Sequence, residues 1–92
     1  EFALVLPETE TSKAAILANR LRESVSELRF SGKDGKFSVS ISAGISEPTL
    51  RELDIIATLE RADQALYVAK QNGRNRVELA PSRMDGMGRA VA

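Results

Sequence analysis

Cysteine and histidine are both absent from this chain of 92 residues. Without cysteine there is no disulfide and no thiolate metal site. Without histidine there is no Ser-His-Asp or Cys-His triad, no HExxH zinc site and no imidazole general base. A metal acting here needs oxygen ligands, which is the chemistry of magnesium-like ions. Tryptophan is missing too, and three Phe and one Tyr are too few for a base-stacking platform. The 13 basic and 13 acidic side chains cancel, which argues against a surface that coats nucleic acid. The longest apolar runs, such as Phe2 to Leu6, are far too short for a transmembrane helix. What is present is the composition of an ordinary globular domain, 42% hydrophobic and 28% charged. The length allows one domain with a small core.

Phe2-Ala3-Leu4-Val5-Leu6 before Pro7 reads as a short buried strand. The chain opens on Glu1 directly ahead of this run, without the basic, apolar and small-residue regions of a signal peptide. It therefore reads as a segment of a longer polypeptide. Glu8 to Ser12 supplies helix-start residues. Leu17, Leu21, Val25 and Leu28 then recur at steps of four and three, one apolar stripe on a helix of about four to five turns. Ser31 to Lys36 is a polar turn in which Asp34-Gly35 suits positive φ. From Phe37 to Ile45 apolar residues occupy the odd positions and Ser38, Ser40 and Ser42 the even ones, the alternation of a strand with one buried face. Gly44 interrupts it and signals close approach of another group, or a bulge.

Pro48 ends that strand, and Thr49 and Glu52 have the spacing of a capping box. The second helix carries Ile56, Leu59, Ala62, Leu66 and Ala69 on one face and stops at Gly73. Arg76 to Leu79 reads as a last short strand. Residues 1–80 form the ordered part, and 81–92, without periodicity, read as a flexible tail.

Three segments resemble the C-terminal half of a GGDEF domain, the diguanylate cyclase family. Glu1-Phe2-Ala3-Leu4-Val5-Leu6-Pro7 is similar to the stretch just after the glycines of the GG(D/E)EF signature. Ser42-Ala43-Gly44-Ile45 is similar to the family's S-x-G strand. The run from Arg61 to Val77 resembles the family's RADxALYxAKxxGRNRV almost residue for residue, and is long enough to be specific. Only the last two signature positions are present. The glycines, the third-position acid, the first strand with its metal-binding Asp and the RxxD inhibitory motif of the family would precede residue 1.

The resemblance implies an α/β (α+β) fold, part of a ferredoxin-like, palm-type nucleotide cyclase core, with antiparallel strands and two helices packed on one face of the sheet. It implies a domain that condenses two GTP into cyclic di-GMP with release of pyrophosphate, and a segment inactive alone. Lys70 and Arg74 match the basic positions that contact the triphosphate. As C-terminal charges they would also suit the helix dipole. Glu1 matches the fourth signature position, an acid of the active-site hairpin. Arg20 matches the arginine that supplements the inhibitory cyclic di-GMP site, and on residue grounds alone it would be a solvated partner of Glu23 or Ser24. Magnesium is the implied cofactor, with its principal ligands upstream and none within this segment. The implied partners are GTP, cyclic di-GMP and a second copy of the chain, with no nucleic acid and no membrane segment. The segment is cytoplasmic in character, with a membrane tether elsewhere left open. Two other readings stand beside it: a degenerate GGDEF domain that binds GTP or cyclic di-GMP as a regulatory module, and an unrelated small α+β interaction module.

Overall fold

The computed structural model describes residues 1–49 and 54–81. Glu52 of the expected capping box and all but the first residue of the expected tail lie outside them. Within the described residues the order is α1 (Thr11–Glu27), β1 (Phe30–Gly32), β2 (Gly35–Phe37), β3 (Ala43–Ile45), α2 (Ile55–Gln71) and β4 (Val77–Leu79). This is the mixed α/β composition that the residue pattern predicts.

The polar turn closes a hairpin. β1 and β2 pair antiparallel with Phe30 opposite Phe37 and Gly32 opposite Gly35, leaving Lys33 and Asp34 as the two-residue loop. Gly35 takes φ 116°, a conformation that glycine adopts without a Cβ penalty. The directly opposed Phe30 and Phe37 rings stack with centroids 5.4 Å apart, the cross-strand contact that fixes the register.

β3 and β4 run parallel, with Ala43 opposite Val77 and Ile45 opposite Leu79. The antiparallel expectation is therefore met by the hairpin and corrected here. The physical reason is the connection: α2 carries the chain back along its own length before β4 begins, so β4 starts at the same end as β3. Both helices approach the β3–β4 pair, but no Cα of α1 comes within 8 Å of one in α2.

Two further expectations change. Phe2 to Leu6 has no strand partner among the described residues, and Phe2, Leu4 and Val5 are 99%, 75% and 70% exposed. An apolar run reports a need for burial but not the partner that satisfies it, and no unpaired strand among the described residues faces it. Likewise, the alternation from Phe37 to Ile45 is paired only at its two ends, in β2 and β3.

The core is made of small residues. Ala14, Thr58, Ala65 and Ala69 are buried, and no large side chain among the described residues is fully so. Leu17, Leu21 and Leu28 on the α1 stripe, and Ile56 and Leu59 on α2, remain exposed. Gly44 explains the close packing of α2. A Cβ there would collide with the Ala62 carbonyl oxygen and the Leu66 amide nitrogen and stand 2.9 Å from the Ala65 carbonyl carbon. Only glycine lets the helix backbone lie this close to β3.

α2 begins one turn later than the Thr49 spacing suggests. Asp54 is its N-cap, and the carboxylate accepts hydrogen bonds from the Ile56 and Ala57 amides at 3.0 and 3.4 Å. The segment between β3 and α2 is tied to the helix by Ser46, whose hydroxyl donates to the Thr58 carbonyl at 2.6 Å. Arg61 donates to the Glu47 carbonyl at 2.9 Å and to the Pro81 carbonyl at 3.2 Å, joining both ends of the strand–helix–strand unit. No helix of the described residues is long and apolar enough to cross a membrane.

Candidate phosphate-binding turn

The C-terminus of α2 is a Schellman motif. The Gly73 amide donates to the Lys70 carbonyl at 3.4 Å and the Arg74 amide to the Ala69 carbonyl at 2.9 Å. Gly73 has φ 115°. The left-handed backbone does not end there: Arg74 has φ 62° and Asn75 φ 50°. Asparagine tolerates this region, but for a residue such as arginine it costs about 1–2 kcal/mol. Arg74 is thus held in a conformation that its own side chain does not favour, and surrounding contacts must supply the difference.

Those contacts come from α1, from the residue ahead of β3 and from the turn itself. The Asn75 amide donates to the Ser42 hydroxyl oxygen at 3.0 Å, just ahead of β3. The Arg22 guanidinium of α1 donates to the Asn75 side-chain oxygen at 3.0 Å, while its Nε donates to Asn19 Oδ1 at 2.9 Å. Arg76 folds back so that its Nε donates to the Arg74 carbonyl at 3.4 Å. The Arg74 guanidinium is exposed and has no hydrogen-bond or ion-pair partner among the described residues.

Lys70 stands in the last turn of α2, where a cation suits the negative end of the helix dipole. Its ammonium also lies 3.6 Å from the Glu1 carboxylate. The structure therefore brings the two ends of the matched region together, joining the signature acid to the first of the two expected phosphate cations. Arg20 stays apart. It is exposed on α1 and makes neither the expected contact with Glu23 or Ser24 nor any hydrogen bond or ion pair with Glu1, Lys70 or Arg74. No group of three or more carboxylates converges among the described residues to hold a metal ion.

Arg22, Ser42 and Asn75 hold the turn together, and sequence reasoning does not single them out for it. Asn75 lies inside the recognisable run from Arg61 to Val77, but Arg22 carries no local signal, since its partner is far away in the chain. Ser42 signals its place in an alternating strand and in the S-x-G resemblance, but neither points to a contact with Asn75.

The family model described as "Diguanylate cyclase, GGDEF domain" matches residues 1–76. Among curated proteins, diguanylate cyclase A of Treponema denticola is 42% identical over 86 residues, covering 91% of this chain and 23% of that protein. The response regulator PleD of Caulobacter vibrioides is 37% identical over 79 residues, 84% of this chain and 17% of that protein. Among solved structures, the GGDEF domain of DgcB from Caulobacter crescentus, in complex with c-di-GMP, superposes with a TM-score of 0.77 at 31% identity. The active GGEEF domain of a diguanylate cyclase from Vibrio cholerae superposes with a TM-score of 0.75 at 34% identity. Each superposition covers 84% of this chain, but only 45% and 48% of those chains. The chain thus spans less than half of either solved structure and under a quarter of the curated proteins' length.

Proposed function

Because the chain belongs to the diguanylate cyclase GGDEF family, we propose that it is the C-terminal part of a cyclase domain and contributes the cations that hold the triphosphate of GTP. The observation that carries this reading is the α2–β4 turn. It presents an Arg74 guanidinium unpartnered among the described residues, next to the helix end that bears Lys70, and Lys70 is paired with the acid of the signature. Lysine offers a point charge and arginine a planar fork, the combination suited to a chain of phosphates.

In the proposed reaction the 3′-oxygen of one GTP bonds to the α-phosphorus of a second, and the bond from that phosphorus to pyrophosphate breaks. The reciprocal step closes cyclic di-GMP and releases a second pyrophosphate. Both steps demand alignment and neutralisation of the departing pyrophosphate more than covalent help from protein, which a histidine-free chain can provide. Lys70 and Arg74 bind and orient the β- and γ-phosphates. Glu1 occupies Lys70 when no nucleotide is bound, so the incoming triphosphate replaces one anion by another. Magnesium would supply charge on the phosphate oxygens, but the described residues do not form a site for it, and its ligands belong to the portion of the domain before residue 1. Arg20, exposed on α1 and unpaired among the described residues, is assigned to the inhibitory cyclic di-GMP site.

The segment by itself is inactive in this reading, because it lacks the third-position acid and the magnesium ligands. The test is an assay for cyclic di-GMP with GTP and magnesium. Residues 1–92 alone give no product above a no-protein control, whereas a complete GGDEF domain containing them does. Turnover by the segment alone overturns the assignment of the missing groups. A complete domain that binds GTP without turnover favours the regulatory-module reading instead.

A further inference from the structure

Nothing in the phosphate reading says why Arg74 keeps a left-handed backbone, and the geometry around it gives an answer. We propose that Ser42 and Arg22 are positioning residues for Arg74, acting through Asn75. The proposal rests on the reading of Arg74 as a phosphate ligand. Gly73, Arg74 and Asn75 take φ of 115°, 62° and 50° in succession, and only the first is glycine. A turn so disfavoured would relax unless held from outside. Asn75 carries both side-chain anchors of the turn, while the next carbonyl, of Arg76, accepts from the Ala43 amide at 3.0 Å. The Asn75 amide is fixed by the Ser42 hydroxyl at 3.0 Å, and its side-chain oxygen by Arg22 at 3.0 Å. These anchors come from the lead-in to β3 and from α1, so the turn is clamped between two elements that α2 itself does not control. Arg22 is in turn oriented by Asn19, one helical turn earlier, which accepts from Nε at 2.9 Å. Neither anchor touches the Arg74 guanidinium. Their effect on phosphate passes through the backbone of the turn.

The experiment uses a complete GGDEF domain containing this segment, with Ser42→Ala, Arg22→Met, Arg74→Ala and the two anchor substitutions each combined with Arg74→Ala. Three quantities are read: KM for GTP, kcat, and amide hydrogen exchange at Arg74 and Asn75. Ser42→Ala and Arg22→Met each raise KM about tenfold, the scale of one well-made hydrogen bond, and speed exchange at Asn75. Ser42→Thr, which keeps the hydroxyl, restores both. In the Arg74→Ala background neither anchor substitution raises KM further, since the group they position is gone. Unchanged KM and unchanged exchange in both anchor variants overturn the proposal while leaving the phosphate reading intact. So does an undiminished effect of the anchor variants in the Arg74→Ala background. Wild-type kinetics for Arg74→Ala itself overturn the phosphate reading, and the proposal with it. If either anchor variant fails to fold, the other carries the same test, because each bonds a different atom of Asn75.

Discussion

Glu1 and Lys70 face each other across 3.6 Å from opposite ends of the matched region. The carboxylate is 66% exposed and the lysine side chain 38%, so the pair is a surface ion pair that adds little to stability. In the function we propose, its significance is exchange. A weakly held anion at Lys70 is one that a polyphosphate can displace at small cost.

That exchange sets the first prediction. In a complete, active domain, Lys70→Ala and Arg74→Ala each weaken GTP use by about 1.5–3 kcal/mol, the scale of charge-assisted hydrogen bonds. The double variant loses less than the sum, because both cations serve one triphosphate. Specificity constants for the single and double variants check this. Wild-type values in folded protein would leave the two residues as dipole charges only.

Gly44→Ala is expected to destabilise the chain. The added methyl meets the backbone of α2 at Ala62 and Leu66, and backbone cannot swing aside as a flexible side chain can. Overpacking of this kind costs about 1–3 kcal/mol. Urea unfolding monitored by circular dichroism measures it, and an unchanged midpoint would show that α2 has room to move away from β3.

Asp54→Ala removes the acceptor for two orphan amides at the start of α2. The loss is about 1 kcal/mol, whereas Asp54→Asn retains most of the stability. A melting comparison of the two variants separates the cap from general surface effects. Equal melting for all three proteins would exclude Asp54 as the effective cap.

In isolation the segment is expected to self-associate. Leu17 and Leu21 on α1 and Leu28 at its C-cap expose apolar surface, and Phe2, Leu4 and Val5 add an apolar run without a strand partner among the described residues. Burying these faces against a second copy is the simplest way for so small a core to gain stability. Light scattering on residues 1–92 reads the mass directly. A monomer with a cooperative thermal transition would show that the small-residue core suffices.

Much of this architecture is legible in the residues. Gly35 marks the hairpin because the backbone leaves the turn there at a φ that few other residues adopt. Gly73 marks the end of α2, and Gly44 the close approach of another element, because each position demands the absence of a Cβ. Whatever depends on a distant partner escapes. Phe2 to Leu6 is apolar enough for a strand, but strand pairing is a property of two segments, and the second is not among the described residues. Thr49 and Glu52 have the spacing of a cap, but the N-cap of α2 is Asp54, where the backbone turns into the helix. The contacts of Arg22 and Ser42 with Asn75 join residues far apart in sequence, and no local periodicity encodes them. The parallel pairing of β3 and β4 comes from the path of α2, which strand patterns alone do not specify.

That path also orders events in time. The β1–β2 hairpin joins neighbouring residues, and such hairpins close in about 1–10 μs. β3 and β4 are separated by the whole of α2, so their pairing closes a far longer loop than the hairpin does. The turn carrying Arg74 is anchored to Ser42 only once that closure is complete. Closure cost alone therefore favours the hairpin over the β3–β4 pair, and sets the shaping of the Arg74 turn after both.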